Sequence, residues 1–351
     1  MKNSLFLNPL VLSKSFINHF LLFVVLLVGV VMSLSLGSVS IPFEDIFKSL
    51  FGLSIENSTW EYIIVNYRLP KTITAILIGS GLAVSGLLMQ TLFRNPLAGP
   101  YVLGLSSGAS LGVAFLIMGA SLLSGFLGEF LYSKWAIILS ASGGSLLVML
   151  AVLSTAQRVK DTMTLLIIGL MVASLTSAIV SVLAYFSSSN ELQLYIFWSF
   201  GSLGNLSWKE VGILSLCWFI GVSFAVFCLK NLNALLLGEN YAKSMGVQLK
   251  KNRILIIVST SILAGSATAF AGPIAFVGLA VPHLVRQLVP TNDHRVLLPS
   301  IIFGGAILML LCDIIAQLPG TESTLPINAV TSIFGAPVVI WLLLRKRKLN
   351  F

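Results

Sequence analysis

Charge is what this chain has least of. Only 9% of its 351 residues are Asp, Glu, Lys or Arg, whereas 57% are hydrophobic and the mean hydropathy is +0.99. Soluble domains carry roughly a quarter charged residues, so a soluble globule is excluded. Cysteine is scarce as well. Cys217, Cys228 and Cys312 sit inside apolar runs with no CxxC spacing, which reads as small core residues rather than disulfides or metal ligands. His19, His283 and His294 are far apart and no HExxH occurs, so neither a metal site nor a cofactor is expected. There is no G-x-x-x-x-G-K-[ST] loop to cradle nucleotide phosphates. Any energy from ATP must therefore come through another polypeptide. No fixed-period repeat, low-complexity tract or long polar loop is visible, which leaves residues 1–351 as a single domain with no covalent chemistry of its own.

What the chain does have is long apolar runs. They fall at about 16–36, 72–93, 101–123, 135–155, 163–186, 211–230, 253–271, 273–289, 296–317 and 326–344. About 20 apolar residues cross a bilayer as a helix, and continuous runs are not the alternating strands of a membrane barrel. The expected fold is all-α and polytopic, with about ten transmembrane helices. The eighth run is interrupted by Gly272-Pro273 and Pro282, and a piece at 191–203 is too short and polar to span. The run at 16–36 has full-span length and no A-x-A site after it, so it reads as a first membrane helix and not a signal peptide.

Basic residues set the orientation. With the amino end in the cytoplasm, 16 of the 21 Lys and Arg residues lie inside. Only Lys48, Arg68, Lys71, Lys134 and Lys209 lie outside, beside most of the acids: Glu44, Asp45, Glu56, Glu61, Glu129, Glu191, Glu210 and Glu322. Both termini are thus expected in the cytoplasm. The net charge of +9 becomes a matter of membrane orientation, with no nucleic-acid surface implied.

Residues 66–110 are apolar yet crowded with Gly, Ser, Ala and Pro. Ala75, Gly79 and Ala83 recur every four residues, as do Gly104, Gly108 and Gly112. Such stripes let helix backbones approach closely where lipid supplies no hydrophobic drive. Between them lies a break, Arg94-Asn-Pro-Leu-Ala-Gly-Pro100. Irregular backbone at membrane depth is tolerated only when it is buried in protein or lines a cavity, so the break is either a packing kink or part of a pathway, and a pathway is the expectation. Asp313 is the one acid clearly within an expected span. A single acid is poor support for ion coupling, and it reads as an acceptor for neighbouring helix ends. The most polar cytoplasmic loop, 237–251, holds a short helix-compatible stretch between Gly238 and Gly246, with Glu239 and Ala242 spaced to meet a cytoplasmic partner.

Seven motifs occur in order: RLPK at 68–71, GxxLAxSGxxxQ at 79–90, RNPLAGP at 94–100, LGxxxGA at 103–109, GPIAFVGLAVPHLVR at 272–286, DHRVLLP at 293–299 and LP-x-NAVTSIFGAP at 325–337. Together they resemble the FecCD-type permeases, membrane subunits of ABC importers for iron-siderophores, haem and cobalamin. The resemblance implies a bacterial inner-membrane subunit that works by alternating access as a homodimer or, in some members, a paired heterodimer. Cytoplasmic ATPase subunits would bind below and a substrate-binding protein above. It assigns Arg68 and Lys71 to binding-protein docking, and Asn95, Leu97, Thr162 and Met163 to the cytoplasmic gate. Gly238, Glu239, Ala242 and Gly246 go to ATPase docking. Gln317 stands where the cobalamin permease has a third basic residue, and Thr324-Leu-Pro-Ile-Asn328 replaces the family's ELPxG. His283 reads as a structural residue near the cytoplasmic end of its span. The rival reading is a stand-alone secondary carrier or channel, against which the missing ion-coupling residues and the docking-like loop both argue.

Overall fold

The computed structural model describes residues 9–53, 57–119, 133–159, 162–204, 206–321 and 323–344. Lys2, Lys160, Arg345, Lys346, Arg347 and Lys348, and the acids Glu56, Glu129 and Glu322, lie outside the described residues. The described chain is a helical bundle, built of α1 (Pro9–Ser35), α2 (Phe43–Leu50), α3 (Ser58–Ile63), α4 (Leu69–Phe93), α5 (Leu105–Met118), α6 (Lys134–Arg158) and α7 (Thr162–Phe186). It continues through α8 (Ser189–Ser199), α9 (Trp208–Leu236), α10 (Glu239–Ser244), α11 (Leu249–Ala271), α12 (Val277–Leu288), α13 (His294–Ala316) and α14 (Ile327–Leu344). A π-helical turn, Ile64–Arg68, fuses α3 to α4.

Among the described residues, seven helical stretches are long and apolar enough to cross a membrane. They are α1, α3 with α4, α6, α7, α9, α11 and α13. The helices α5 and α14 are apolar but shorter. Pro273 and the turn around it end the helical run that began at Leu249, and α12 has only 12 residues, too few to span alone. The polar 191–203 piece forms the short helix α8, as its length requires.

Helix α4 is the axis of the bundle. It is packed by α13, α11, α12 and α9, and nearly all its side chains are buried. The small-residue stripes explain how. A Cβ at Gly79 would strike the Gly305 carbonyl on α13, and one at Gly86 would fall on the Gly278 carbonyl at the start of α12. The second stripe serves α5 in the same way, with Gly108 and Gly112 against Gly144 and Ser140 of α6. Both stripes are therefore covered within one chain, and they do not by themselves call for a second copy.

Basic residues expected outside gather at one end of α4 and those expected inside at the other. At the first end Lys134 pairs with Glu210 at 2.8 Å and Lys71 with Asp313 at 3.1 Å. At the second, Arg94, Arg253 and Arg286 are found. Its 25 residues separate the two ends by about 37 Å at 1.5 Å per residue.

Candidate gate and docking sites

At the first end, Arg68 is 8% exposed and spent inside the chain. Its guanidinium donates to the carbonyls of Leu34 at 2.6 Å and Ser35 at 2.8 Å, and to that of Val39. These acceptors lie at the end of α1 and in the loop behind it, where a cation also meets the negative end of the helix dipole. Arg68 thus holds the α1–α2 loop and does not project from the surface. Lys71 is one helical turn on, its side chain 21% exposed, and its ammonium lies on the Asp313 carboxylate. Gln317 donates to the same carboxylate at 2.8 Å. Asp313 therefore accepts from two side chains, not from neighbouring helix ends.

Two cavities open beside this cluster, of about 550 and 520 Å³, and both are lined by Phe197, Gly201 and Ser202. Lys71, Asp313 and Gln317 line the smaller. Its rim includes the segment 324–327 that departs from the family pattern. Asn328 ties that rim together, its side chain accepting from the Ala275 amide at 3.1 Å while its own amide donates to the Phe200 carbonyl. Sequence reasoning missed this role. Its signal was an amide side chain at a position where the family has glycine.

At the second end, Arg94 closes α4 in the left-handed conformation at φ 46°. Glycine is the usual residue there, and an L side chain costs about 1–2 kcal/mol. The Arg94 guanidinium reaches the Leu235 carbonyl, 2.5 Å away at the end of α9. The next residue, Asn95, folds its side chain back to accept from the Leu97 amide at 2.9 Å, a turn that leaves Leu97 41% exposed. His283 donates from Nε2 to the Pro96 carbonyl at 2.8 Å. Gln90, one turn earlier, takes a hydrogen bond from Arg286 at 2.9 Å and gives one to the Leu279 carbonyl. The break is thus pinned to α12, and His283 has the structural part expected of it. A further buried chain runs from Thr91 through His294 to Asn233 and Asp293, at 2.9, 2.7 and 2.7 Å.

Thr162 and Met163 open α7, with Met163 51% exposed. They are joined to the break indirectly. Gly169, further along α7, packs against Val102 and Leu103 so closely that a Cβ there would strike the Val102 carbonyl. The docking stretch forms as α10, bracketed by Gly238 at φ 118° and Gly246 at φ 86°. Both values lie where only glycine is comfortable. Ala242 faces inward and is fully buried, while Tyr241 and Met245 are 53% and 60% exposed. Glu239 faces Arg253 at 3.9 Å. Of the four residues expected at the docking site, Ala242 is thus buried and the two glycines bracket the helix, while Tyr241 and Met245 are its large exposed apolar side chains.

A family model described as the FecCD transport family matches residues 25–345. The chain belongs to the FecCD transport family. The vitamin B12 import system permease protein BtuC of Citrobacter koseri is 38% identical over 327 residues, which cover 93% of each chain. BtuC of Klebsiella pneumoniae is 40% identical over 288 residues, 80% of this chain and 82% of its own. The solved structure of a metal-chelate type ABC transporter in an inward-facing conformation overlays with a TM-score of 0.80 at 30% identity, covering 93% of this chain and 98% of that one. PsaBC from Streptococcus pneumoniae, at 16% identity and a TM-score of 0.55, shares the fold. This chain is a multi-pass membrane permease subunit of an ABC importer, and ATP hydrolysis belongs to a partner chain.

Proposed function

We propose that this permease carries a bulky metal chelate inward across the bacterial cytoplasmic membrane, with a corrinoid of the cobalamin class as the first candidate and iron-siderophore or haem as the others. The observation that carries the reading is the similarity, along 93% of the chain, to permeases named for vitamin B12 import. The working unit is a homodimer of single-domain chains, each with ten spans and both termini in the cytoplasm. The exposed apolar faces of α7 and α14, which include Met171, Leu175, Ile333 and Phe334, are offered as the surfaces that flank a path between two copies. Cytoplasmic ATPase subunits dock on α10 and its flanking glycines, where Tyr241 and Met245 make the contact and Ala242 seats the helix. Asn95, Leu97, Thr162 and Met163 form the cytoplasmic gate. A substrate-binding protein docks at the opposite end, where Lys71 offers a cation and Arg68 shapes the loop beside it. Nucleotide and binding protein drive alternating access only by preferring different gate states.

Uptake decides the cargo. Cells lacking their own chelate permeases would receive this chain with its ATPase and binding protein. Accumulation of labelled cyanocobalamin, and not of haem or a ferric siderophore, is the expected outcome. Uptake of haem or siderophore alone would reassign the cargo. Uptake by liposomes holding this subunit without an ATPase would replace the importer reading with a stand-alone carrier. Lys71→Gln should weaken binding-protein docking mildly, by the roughly 0–1 kcal/mol of an exposed ion pair, and the loss should fade as salt rises. Unchanged affinity at low salt would remove Lys71 from the docking surface.

A further inference from the structure

We propose that the groove between the end of α9 and the start of α11 binds a phospholipid headgroup, one that joins an anionic phosphate to a terminal hydrogen-bond donor, as phosphoethanolamine does. The site is remote from the cavities at the Arg68 end and does not depend on the cargo. A cavity of about 310 Å³ opens in this groove, lined by Asn231 of α9, Gln248 of the loop after α10, and Lys251, Asn252 and Leu255 of α11. Asn252 is 3% exposed, yet its Oδ1 has no hydrogen-bond partner among the described residues. A buried acceptor left unpaired is costly, and this one belongs to the wall of an open, polar cavity. It calls for a donor.

Charge is a second and independent sign. Helix α11 carries Lys250 and Lys251 in its first turn and no acid there, and its cap residue Gln248 makes no side-chain hydrogen bond to the first amides. A helix N-terminus bears partial positive charge and favours anions. Two lysines at that end have the wrong sign unless an anion joins them. The nearby carboxylate of Glu239 faces Arg253, at 3.9 Å. A phosphate at the cavity would answer both Lys251 and the helix end.

The surroundings favour a lipid over a side chain of a partner protein. Phe227 lies one helical turn before Asn231, on the same face of α9, and is 73% exposed. Leu255, one turn beyond Lys251, is only partly buried and lines the same cavity. Polar groups at the cavity therefore give way to apolar ones toward the membrane, in the order that a headgroup and its acyl chain require. Basic pockets between membrane helices hold headgroups in this manner, with the lysine stem lying along apolar surface and its ammonium at the phosphate.

Native mass spectrometry of the purified permease tests the site, with phosphatidylethanolamine and phosphatidylcholine of identical acyl chains as probes. Both are zwitterionic, but the quaternary ammonium of phosphatidylcholine has no N–H to give Asn252. The unsubstituted chain should retain phosphatidylethanolamine about fivefold better, the order expected of one hydrogen bond. Asn252→Leu should abolish that preference and keep the melting temperature measured in phosphatidylcholine. Lys251→Gln alters an exposed side chain and should weaken retention of both lipids alike. Equal retention of the two lipids by the unsubstituted chain would overturn the proposal, and that comparison needs no variant to fold. A preference that survives in Asn252→Leu, or retention unchanged in Lys251→Gln, would overturn it as well. Inorganic phosphate should not displace the lipid. A phosphate adduct with no lipid preference would make the cavity a free-anion site, and loss of the lipid on adding the ATPase would make it part of the docking surface; either result ends the lipid assignment.

Discussion

The two ends of α4 solve the same problem with different chemistry. At the Arg68 end, two lysines meet carboxylates, Lys71 with Asp313 and Lys134 with Glu210, while Arg68 itself is held by backbone carbonyls. At the Arg94 end, the arginines meet mostly neutral acceptors, namely the carbonyls of Leu235 and Val159 and the amide of Gln90. Ion pairs tolerate partner exchange because a charge attracts any opposite charge within reach. Hydrogen bonds to a backbone carbonyl are directional and fix one geometry. The lysine–carboxylate pairs suit the first end to a charged partner, and the carbonyl bonds at the second fix one geometry.

The largest expected effect breaks the axis that both ends share. Gly86→Val places a side chain on the Gly278 carbonyl, which is backbone and cannot swing away. Overpacking typically costs about 1–3 kcal/mol, and more where the obstacle is backbone. This variant should lose its monodisperse, detergent-stable form, as read by size exclusion and thermal melting. A normal melting temperature would show that α4 and α12 part more easily than their spacing implies.

Next comes the charged end alone. Asp313→Asn leaves Lys71 facing a neutral amide, and breaking a buried pair costs about 3–5 kcal/mol. The Lys71 side chain is 21% exposed, which favours the lower part of that range. The double variant Lys71→Met with Asp313→Leu should recover most of the stability, because both charges leave together. If single and double variants melt alike, the pair does not distinguish this end.

The directional end gives a smaller change in stability and a larger one in assembly. Tyr241→Glu with Met245→Glu alters exposed side chains, so stability should stay within about 0.5 kcal/mol while ATPase co-purification is lost. Ala242→Glu should lose both, because it forces a charge under the helix.

The smallest effect belongs to the Glu44–Lys48 pair on α2, at 2.7 Å. The Lys48 hydrogen bond and charge hold the Glu44 carboxyl below its ordinary range. Its stabilisation is therefore present at neutral pH and lost as pH falls through the lowered value. Lys48→Ala should leave the neutral-pH melting temperature nearly unchanged and remove this acid sensitivity. A large loss at neutral pH would mean that α2 does more than the pair implies.

Much of this was legible in the chain. The apolar runs foretold the long helices, the Arg94–Pro100 break ended α4 where proline and glycine demand it, and the four-residue stripes marked the closest helix contacts. Charge bias sorted the two ends. Less legible were α2 and α3, short helices that pack on Leu34 and Ile41 through Ile46 of α2 and Trp60 and Ile63 of α3. The resemblance assigned Arg68 to docking, and nothing in the sequence foretold that the fold turns its side chain inward onto three carbonyls. Ala242 lies on the short helix expected of its loop, and the fold turns its side chain inward.

By itself the sequence determined what is dictated locally or by solvent: a helical membrane protein, its breaks, its orientation bias and, through ordered motifs, its family. Only the tertiary structure decided which partner each polar side chain takes. A carbonyl freed at a helix end, or a carboxylate on a neighbouring helix, is distant in sequence and identical in type to many others. Arg68 finds Leu34, Arg94 finds Leu235 and Lys71 finds Asp313 because α4 is packed on nearly every face. In a medium with little water, each buried polar group must then take the acceptor that packing brings within reach.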